Sequence, residues 1–210
     1  MNAALEPERG NSDSDEVDDD LESIWRSLED RFTIRGLYEL DRNNGDKTKD
    51  TWWVRGKYDR FSKEDPDNYF GYQLYFESDK FADLDLRTMT GPYIGRQFFE
   101  NHILNMHAEV GIVYVDEQFD VAEDNDFWGS NWEVRLTSGI IPKFELYLNN
   151  DGVLNFDSTS DTIINTVFGI RFPLIYGLQA AAEAKWEYDG GAVEDVDDTD
   201  ETYNFKLGYT

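Results

Sequence analysis

The chain has 210 residues and carries 45 Asp and Glu against 19 Lys and Arg, a formal net charge of -26 at pH 7. That field repels phosphate backbones and argues against nucleic acid as a partner. Cysteine is absent, which removes disulfides, thiolate metal sites and cysteine nucleophiles, and two histidines, His102 and His107, are too few for a histidine-rich metal centre. The length fits one domain. No apolar run reaches the 18 residues of a transmembrane helix, but alternating barrel strands escape that criterion.

The first twenty residues are rich in acids from Asp13 to Asp20 and hold no aromatic, so residues 1–20 are expected to form a disordered acidic tail. No basic segment followed by an apolar core marks a secretory signal in this chain. Leu21, Ile24, Trp25 and Leu28 then fall at helical spacing behind Asp18 to Asp20, which predicts a short amphipathic helix over 21–30. From residue 31 to 210 the period is two. Phe32, Ile34, Gly36, Tyr38 and Leu40 alternate with Arg31, Thr33, Arg35, Leu37 and Glu39. The same pattern runs through 52–59, 70–77, 84–98, 103–115, 127–137, 143–149, 162–172, 178–188 and 202–210. About ten consecutive strands with no helical interruption predict an all-β, antiparallel up-and-down barrel domain. Joins 41–50, 77–83, 116–126, 149–161 and 189–201 read as longer or strongly acidic, and 62–67, 99–102, 138–142 and 173–177 as shorter. Long and short ends alternate as in outer-membrane barrels.

Alternation alone leaves open which face is wet. A soluble or periplasmic barrel would bury its apolar parity and could bind an apolar ligand inside. A transmembrane barrel of outer-membrane type would turn that parity to lipid. The polar parity favours the second reading, because it mixes both signs in mid-strand: Arg35, Arg55, Lys57, Arg87, His107, Glu109, Glu133, Arg135, Glu145, Arg171, Glu183 and Lys185. A solvated face in so acidic a protein would be mainly negative, whereas an enclosed lumen network needs balance, since an unpaired buried charge is costly. Aromatics near strand ends, such as Trp52, Phe76, Trp128 and Trp186, suit an interfacial girdle.

Several segments carry a family resemblance: Tyr75 to Gly95 with its FADLDLRTMTGPYIG stretch, Phe119 to Phe127 (FDVAEDNDF), Ile163 to Leu174 and the ending from Thr199 to Thr210. Over residues 31–210 the sequence resembles the bacterial family known as salt-stress-induced outer-membrane proteins, a domain of unknown function. The resemblance implies an outer-membrane barrel of a Gram-negative bacterium and almost nothing about substrate or ligand; a structural, stress-related or narrow-passage role is the expectation. Membrane lipid, lipopolysaccharide and the barrel-assembly machinery, engaged through the C-terminal strand, are the expected partners of a monomer.

Catalysis finds no support. His107 sits on the polar parity, while Ser130 and Ser138 on the next strand sit on the apolar one. No cofactor is expected. The acidic loops offer oxygen ligands for loosely bound calcium or magnesium at Asp195, Asp197 and Asp198, although the glycine of a calcium loop is missing there. Ten strands enclose little space, so the lumen is expected to be largely filled by side chains.

Overall fold

A computed structural model of the chain describes residues 2–9, 13–139, 141, 143–191 and 197–209. Among them are twelve strands in one antiparallel sheet whose spatial order equals the chain order: β1 (Asn2–Arg9), β2 (Asp13–Arg26), β3 (Asp30–Asn43), β4 (Asp46–Phe61), β5 (Asn68–Asp79), β6 (Leu84–Glu100), β7 (Leu104–Phe119), β8 (Asn125–Ser138), β9 (Glu145–Asn155), β10 (Ile163–Pro173), β11 (Leu178–Asp189) and β12 (Thr199–Tyr209). The sheet curls. Cα atoms of β1 and β12 approach within 8 Å, and side chains bond across the interior from β3 to β8 and from β6 to β11.

Ten of the strands are those the period of two predicts; the other two replace the expected tail and helix. β2 pairs residue by residue with β3, from Ser14↔Asn43 to Arg26↔Arg31, and β1 pairs in turn with β2. The helical spacing is a coincidence of strand parity. Glu22 points inward to Arg35, while Leu21 and Trp25 lie outward, where Trp25 stacks on Phe32 at 5.7 Å. An unpaired β3 edge would expose a row of N–H and C=O groups, and this hairpin covers it. Ser27 closes the hairpin, its hydroxyl accepting from the Glu29 and Asp30 amides.

The joins also differ from expectation. The stretch 41–50 is mostly strand, and its turn shrinks to Asn44 and Gly45, with φ of 54° and 89°. Two positive φ values are what a type I′ hairpin turn requires, hence the Asn-Gly pair. The joins of this rim are 44–45, 80–83, 120–124, 156–162 and 190–198, and those of the opposite rim are 27–29, 62–67, 101–103, 139–144 and 174–177. Strict long–short alternation is therefore absent; the two rims differ in charge more than in length.

Burial settles which parity faces inward. In β5, Tyr69, Gln73 and Tyr75 are 3, 4 and 7% exposed, whereas Phe70, Tyr72 and Leu74 are 60, 50 and 46% exposed. Lys57, Asp59, Glu109 and Glu133 are buried, and Ile94, Val110, Ile112, Phe168 and Phe205 are exposed. Charge is inside and hydrocarbon outside, the inverse of a water-soluble protein. Outward aromatics bound this apolar surface on both sides. Phe32 and Tyr38 on β3, Trp52 and Tyr58 on β4, and Phe70 and Phe76 on β5 are each six residues apart, or about 20 Å along a strand.

Candidate functional site: a plugged lumen beneath an acidic vestibule

With a period of two and an in-register ladder, inward side chains of successive strands stand level with one another. β4 contributes Arg55, Lys57 and Asp59, β7 His107 and Glu109, and β8 Glu133 and Arg135. The curl of the sheet then brings β4 opposite β8. Lys57 Nζ donates to Glu109 and, at 3.3 Å, to Glu133. Glu133 is the hub: Arg55 Nη1 reaches one of its oxygens at 3.0 Å and Arg35 Nη1 the other at 3.4 Å. Arg135 Nε lies 3.0 Å away but out of line for a hydrogen bond, and His107 Nε2 stands at 3.6 Å. Burying one carboxylate among this many cations satisfies its lone pairs, which desolvation would otherwise make costly.

Below the hub, toward the opposite rim, two tyrosines extend the plug. Tyr69 donates to Glu109 at 2.9 Å, and Tyr93 donates to Asp59, whose other oxygen accepts from Arg31 Nε at 2.6 Å. Arg31 also lies over the Tyr69 ring, 4.9 Å from its centroid, and Lys57 over the Tyr93 ring at 4.7 Å. Each tyrosine pairs across the ladder with a glycine, Tyr93 with Gly71 and Tyr69 with Gly95. A Cβ on either glycine would come within 2.5 or 2.4 Å of the facing ring. Those glycines are what let the rings lie flat against the wall and fill the lumen.

The remaining charged positions separate into other groups. Arg87 bonds Glu117 at 2.7 Å, Glu77 at 3.0 Å and, across the barrel, Asp189 at 2.7 Å. Lys185 joins Glu187 at 3.0 Å and Glu39 at 4.0 Å. Glu183 meets Lys206 at 3.1 Å and accepts from Tyr147. Arg171 and Glu145 pair at 2.5 Å near the opposite rim, both over 40% exposed. Thus Arg35, Arg55, Lys57, His107, Glu109, Glu133 and Arg135 form one node, while Arg87, Lys185, Glu183 and the Arg171–Glu145 pair stand apart from it.

Sequence reasoning misses Arg31, Asp59, Tyr69, Tyr93 and Asp151. All lie on the charged parity: Arg31, Asp59 and Tyr93 fall inside the alternating runs, while Tyr69 and Asp151 lie just beyond the ends of theirs. The tyrosines carry a second signal, a glycine opposite each.

Filling is confined to one half of the lumen. Toward the rim of joins 44–45 and 190–198 a cavity of about 510 Å³ opens, reaching down to Arg55, Glu133 and Asp151. Glu39, Asp41, Glu77, Glu187, Asp189 and Asp200 lie on its wall, together with Lys49, Arg87 and Lys185. On the same lining Tyr75, Met89 and Val153 belong to an inward apolar cluster with Val113, Val115 and Phe127, against which Trp53 packs. An apolar ligand centred in the barrel would meet the charged node.

The oxygens and nitrogen of His107, Glu109 and Glu133 lie within 4.8 Å of one another, a spacing open to a metal ion. The cations already around Glu133 oppose a divalent guest there, so the geometry is that of an ion-pair node. Asp197 and Asp198 line the cavity mouth and join no metal-ligand group among the described residues; Asp195 lies outside those residues. Ser130, on the strand beside His107, faces outward and donates to the Gly111 carbonyl at 3.1 Å.

No curated protein matches the chain in sequence. Among solved structures, the NanC porin superposes with a TM-score of 0.57 at 10% identity, over 95% of this chain and 93% of its own, which shows a shared fold. A chain from work on in-meso crystallization of membrane proteins aligns over 99% of this chain and 83% of its own, with a TM-score of 0.41 and 12% identity. All of residues 1–210 match the family described as a protein of unknown function, DUF481, and the chain belongs to that family.

Proposed function

We propose that this protein is an outer-membrane β-barrel of a Gram-negative bacterium, of structural, stress-related or narrow-passage type, with its lumen closed at mid-depth by the Glu133 node. The observation that carries the reading is the inverted burial: paired charges inside, and an aromatic-bounded apolar surface outside that matches lipid rather than water. The similarity to a porin supports the same reading through the fold. In this orientation the acidic rim faces outward, where divalent ions would bridge its carboxylates to lipopolysaccharide phosphates. The C-terminal strand would engage the assembly machinery, and one chain would suffice as a monomer.

The test has two parts. Protein refolded into vesicles should resist extraction by high salt, need detergent to stay dispersed and shift in gel mobility on heating. In planar bilayers it should show no large, steady conductance. Solubility without detergent would overturn the membrane assignment, and a wide ohmic pore would overturn the plug.

A further inference from the structure

We infer that the vestibule is a binding site for an amphipathic organic cation, an ammonium or guanidinium group carried on an aryl or alkyl body. Its volume of about 510 Å³ lies in the range of small-molecule pockets, roughly 300–1,000 Å³. Three features fix the ligand chemistry.

The first is uncompensated negative charge. The cations on the wall are all committed: Arg87 to Glu77, Glu117 and Asp189, Lys185 to Glu187, Lys49 to Glu39 and Arg55 to Glu133 and Asp151. Asp41, Asp197, Asp198 and Asp200 form no ion pair among the described residues, although all four line the cavity. A cation entering there meets carboxylates without an ion-pair partner, of which Asp41 feels the charge of Lys49 across the ladder. The second feature is the apolar part of the same lining, where Trp53 stacks on Tyr75 with centroids 6.0 Å apart beside Met89 and Val153. A small hydrated metal ion makes no use of that wall, whereas an aryl body gains both burial and ring contact.

The third feature is a pair of buried polar atoms with nothing to bond. Gln73 and Asn131 line the cavity and are 4% and 7% exposed, yet Gln73 Nε2 and Asn131 Oδ1 have no hydrogen-bond partner. Buried amides are nearly always satisfied, and leaving them open is unfavourable. Those two atoms have almost no accessible surface of their own, so a guest meets the amides by their other ends, Gln73 Oε1 and Asn131 Nδ2, which suit a hydroxyl or amide on its inner end. Arg55 and its neighbours at the base of the cavity repel a cation, so the charged end stays at the acidic mouth.

The inference concerns the vestibule alone and does not rest on whether the node conducts. Calorimetric titration of the folded protein in a non-ionic detergent compares tryptamine with its uncharged analogue tryptophol, with spermidine and with calcium chloride, at matched ionic strength. Tryptamine should bind at one site per chain and about tenfold more tightly than tryptophol, the factor that about 1.4 kcal/mol provides. Asp41→Asn with Asp200→Asn should remove most of that difference. Trp53→Leu should weaken tryptamine while leaving spermidine unchanged, and heat-modifiable mobility confirms that each variant is folded. Equal binding of tryptamine and tryptophol would overturn the role of the carboxylates. Equal binding of spermidine or calcium would overturn the role of the apolar wall. Tryptamine affinity unchanged in all variants would remove the site from the vestibule.

Discussion

Replacing Glu133 by Gln tests the plug at its hub. The substitution keeps size and some hydrogen-bonding capacity but leaves Arg35, Arg55, Lys57 and Arg135 crowded together with one fewer counter-charge. Lys57 stands 3.3 Å from Glu133 and Arg55 3.0 Å; at an effective dielectric of 20 each attraction amounts to about 5 kcal/mol before desolvation is charged against it. Desolvation of the carboxylate offsets much of this, and removing one partner of a buried pair leaves a net loss of about 3–5 kcal/mol. Lys57→Met should cost a similar amount, because Glu109 and Glu133 both lose their shared ammonium. The double variant removes a charge of each sign. It should therefore cost less than the sum of the singles, by about 0.5–3 kcal/mol. Urea unfolding from lipid vesicles, followed by tryptophan fluorescence, measures all four corners of the cycle. A Glu133→Gln cost below about 1 kcal/mol, as for an exposed pair, would refute the node as a buried network. Strict additivity would refute the coupling.

Three further outcomes follow. Arg at Ala182, which faces outward, should cost roughly 2–4 kcal/mol at the membrane midplane, whereas Ala181→Glu, level with Arg171 and Lys206 on the inner face, should cost much less; equal costs in vesicle refolding would sink the orientation. Gly91→Ala places a Cβ 2.0 Å from the Ile112 carbonyl oxygen while Gly56→Ala meets nothing within 4 Å, so urea midpoints should show a loss of about 1–3 kcal/mol for the first and almost none for the second. Calcium should raise the melting temperature more than sodium at matched ionic strength, through Asp197 and Asp198 at the mouth; identical temperatures would leave screening alone, with its Debye length of about 3 Å at 1 M.

Alternation makes most of the sheet legible in the amino-acid sequence. It works from Asp30 onward because most inward charges have an apolar residue on at least one side, as Glu133 has Trp132 and Val134 and Arg171 has Ile170 and Phe172, and a slip of one residue would reverse both faces. It fails at the N-terminal end for a physical reason. Acidic residues from Asp13 to Asp20 read as disorder, since composition reports what cannot be buried and not what can add to an edge through main-chain bonds. Ile24 then misleads in the other direction: it lies on the inward parity of β2, yet with Leu21 and Trp25 it mimics a helical stripe. Strand lengths come out too short for the same reason, as β3 and β4 continue past the apolar belt to Asn43 and Asp46 on polar residues alone. The node is legible as a face and not as a set of partners. Parity places Arg87 inward beside Glu77 and Glu117, but only the curl brings Asp189, 102 residues away, within 2.7 Å. The vestibule is illegible, because it depends on where large side chains stop filling the lumen.

The placement of charge along the lumen explains how so acidic a chain folds as a curled sheet with charge inside. An unpaired carboxylate is costly where water is excluded and cheap where water and salt reach it. The limited supply of cations is accordingly concentrated at depth, with Arg31 on Asp59, Lys57 on Glu109, and Arg35, Arg55 and Arg135 around Glu133. The surplus carboxylates, Asp41, Asp197, Asp198 and Asp200 among them, collect at the open mouth. This division has a functional consequence. Any solute crossing the barrel would have to separate the pairs at Glu133, and the energy of that separation rises as the site becomes drier. The mouth has the opposite property, because an arriving cation there relieves repulsion instead of breaking a bond. The same placement of charge that pairs the middle of the lumen therefore leaves surplus carboxylates at its outer half.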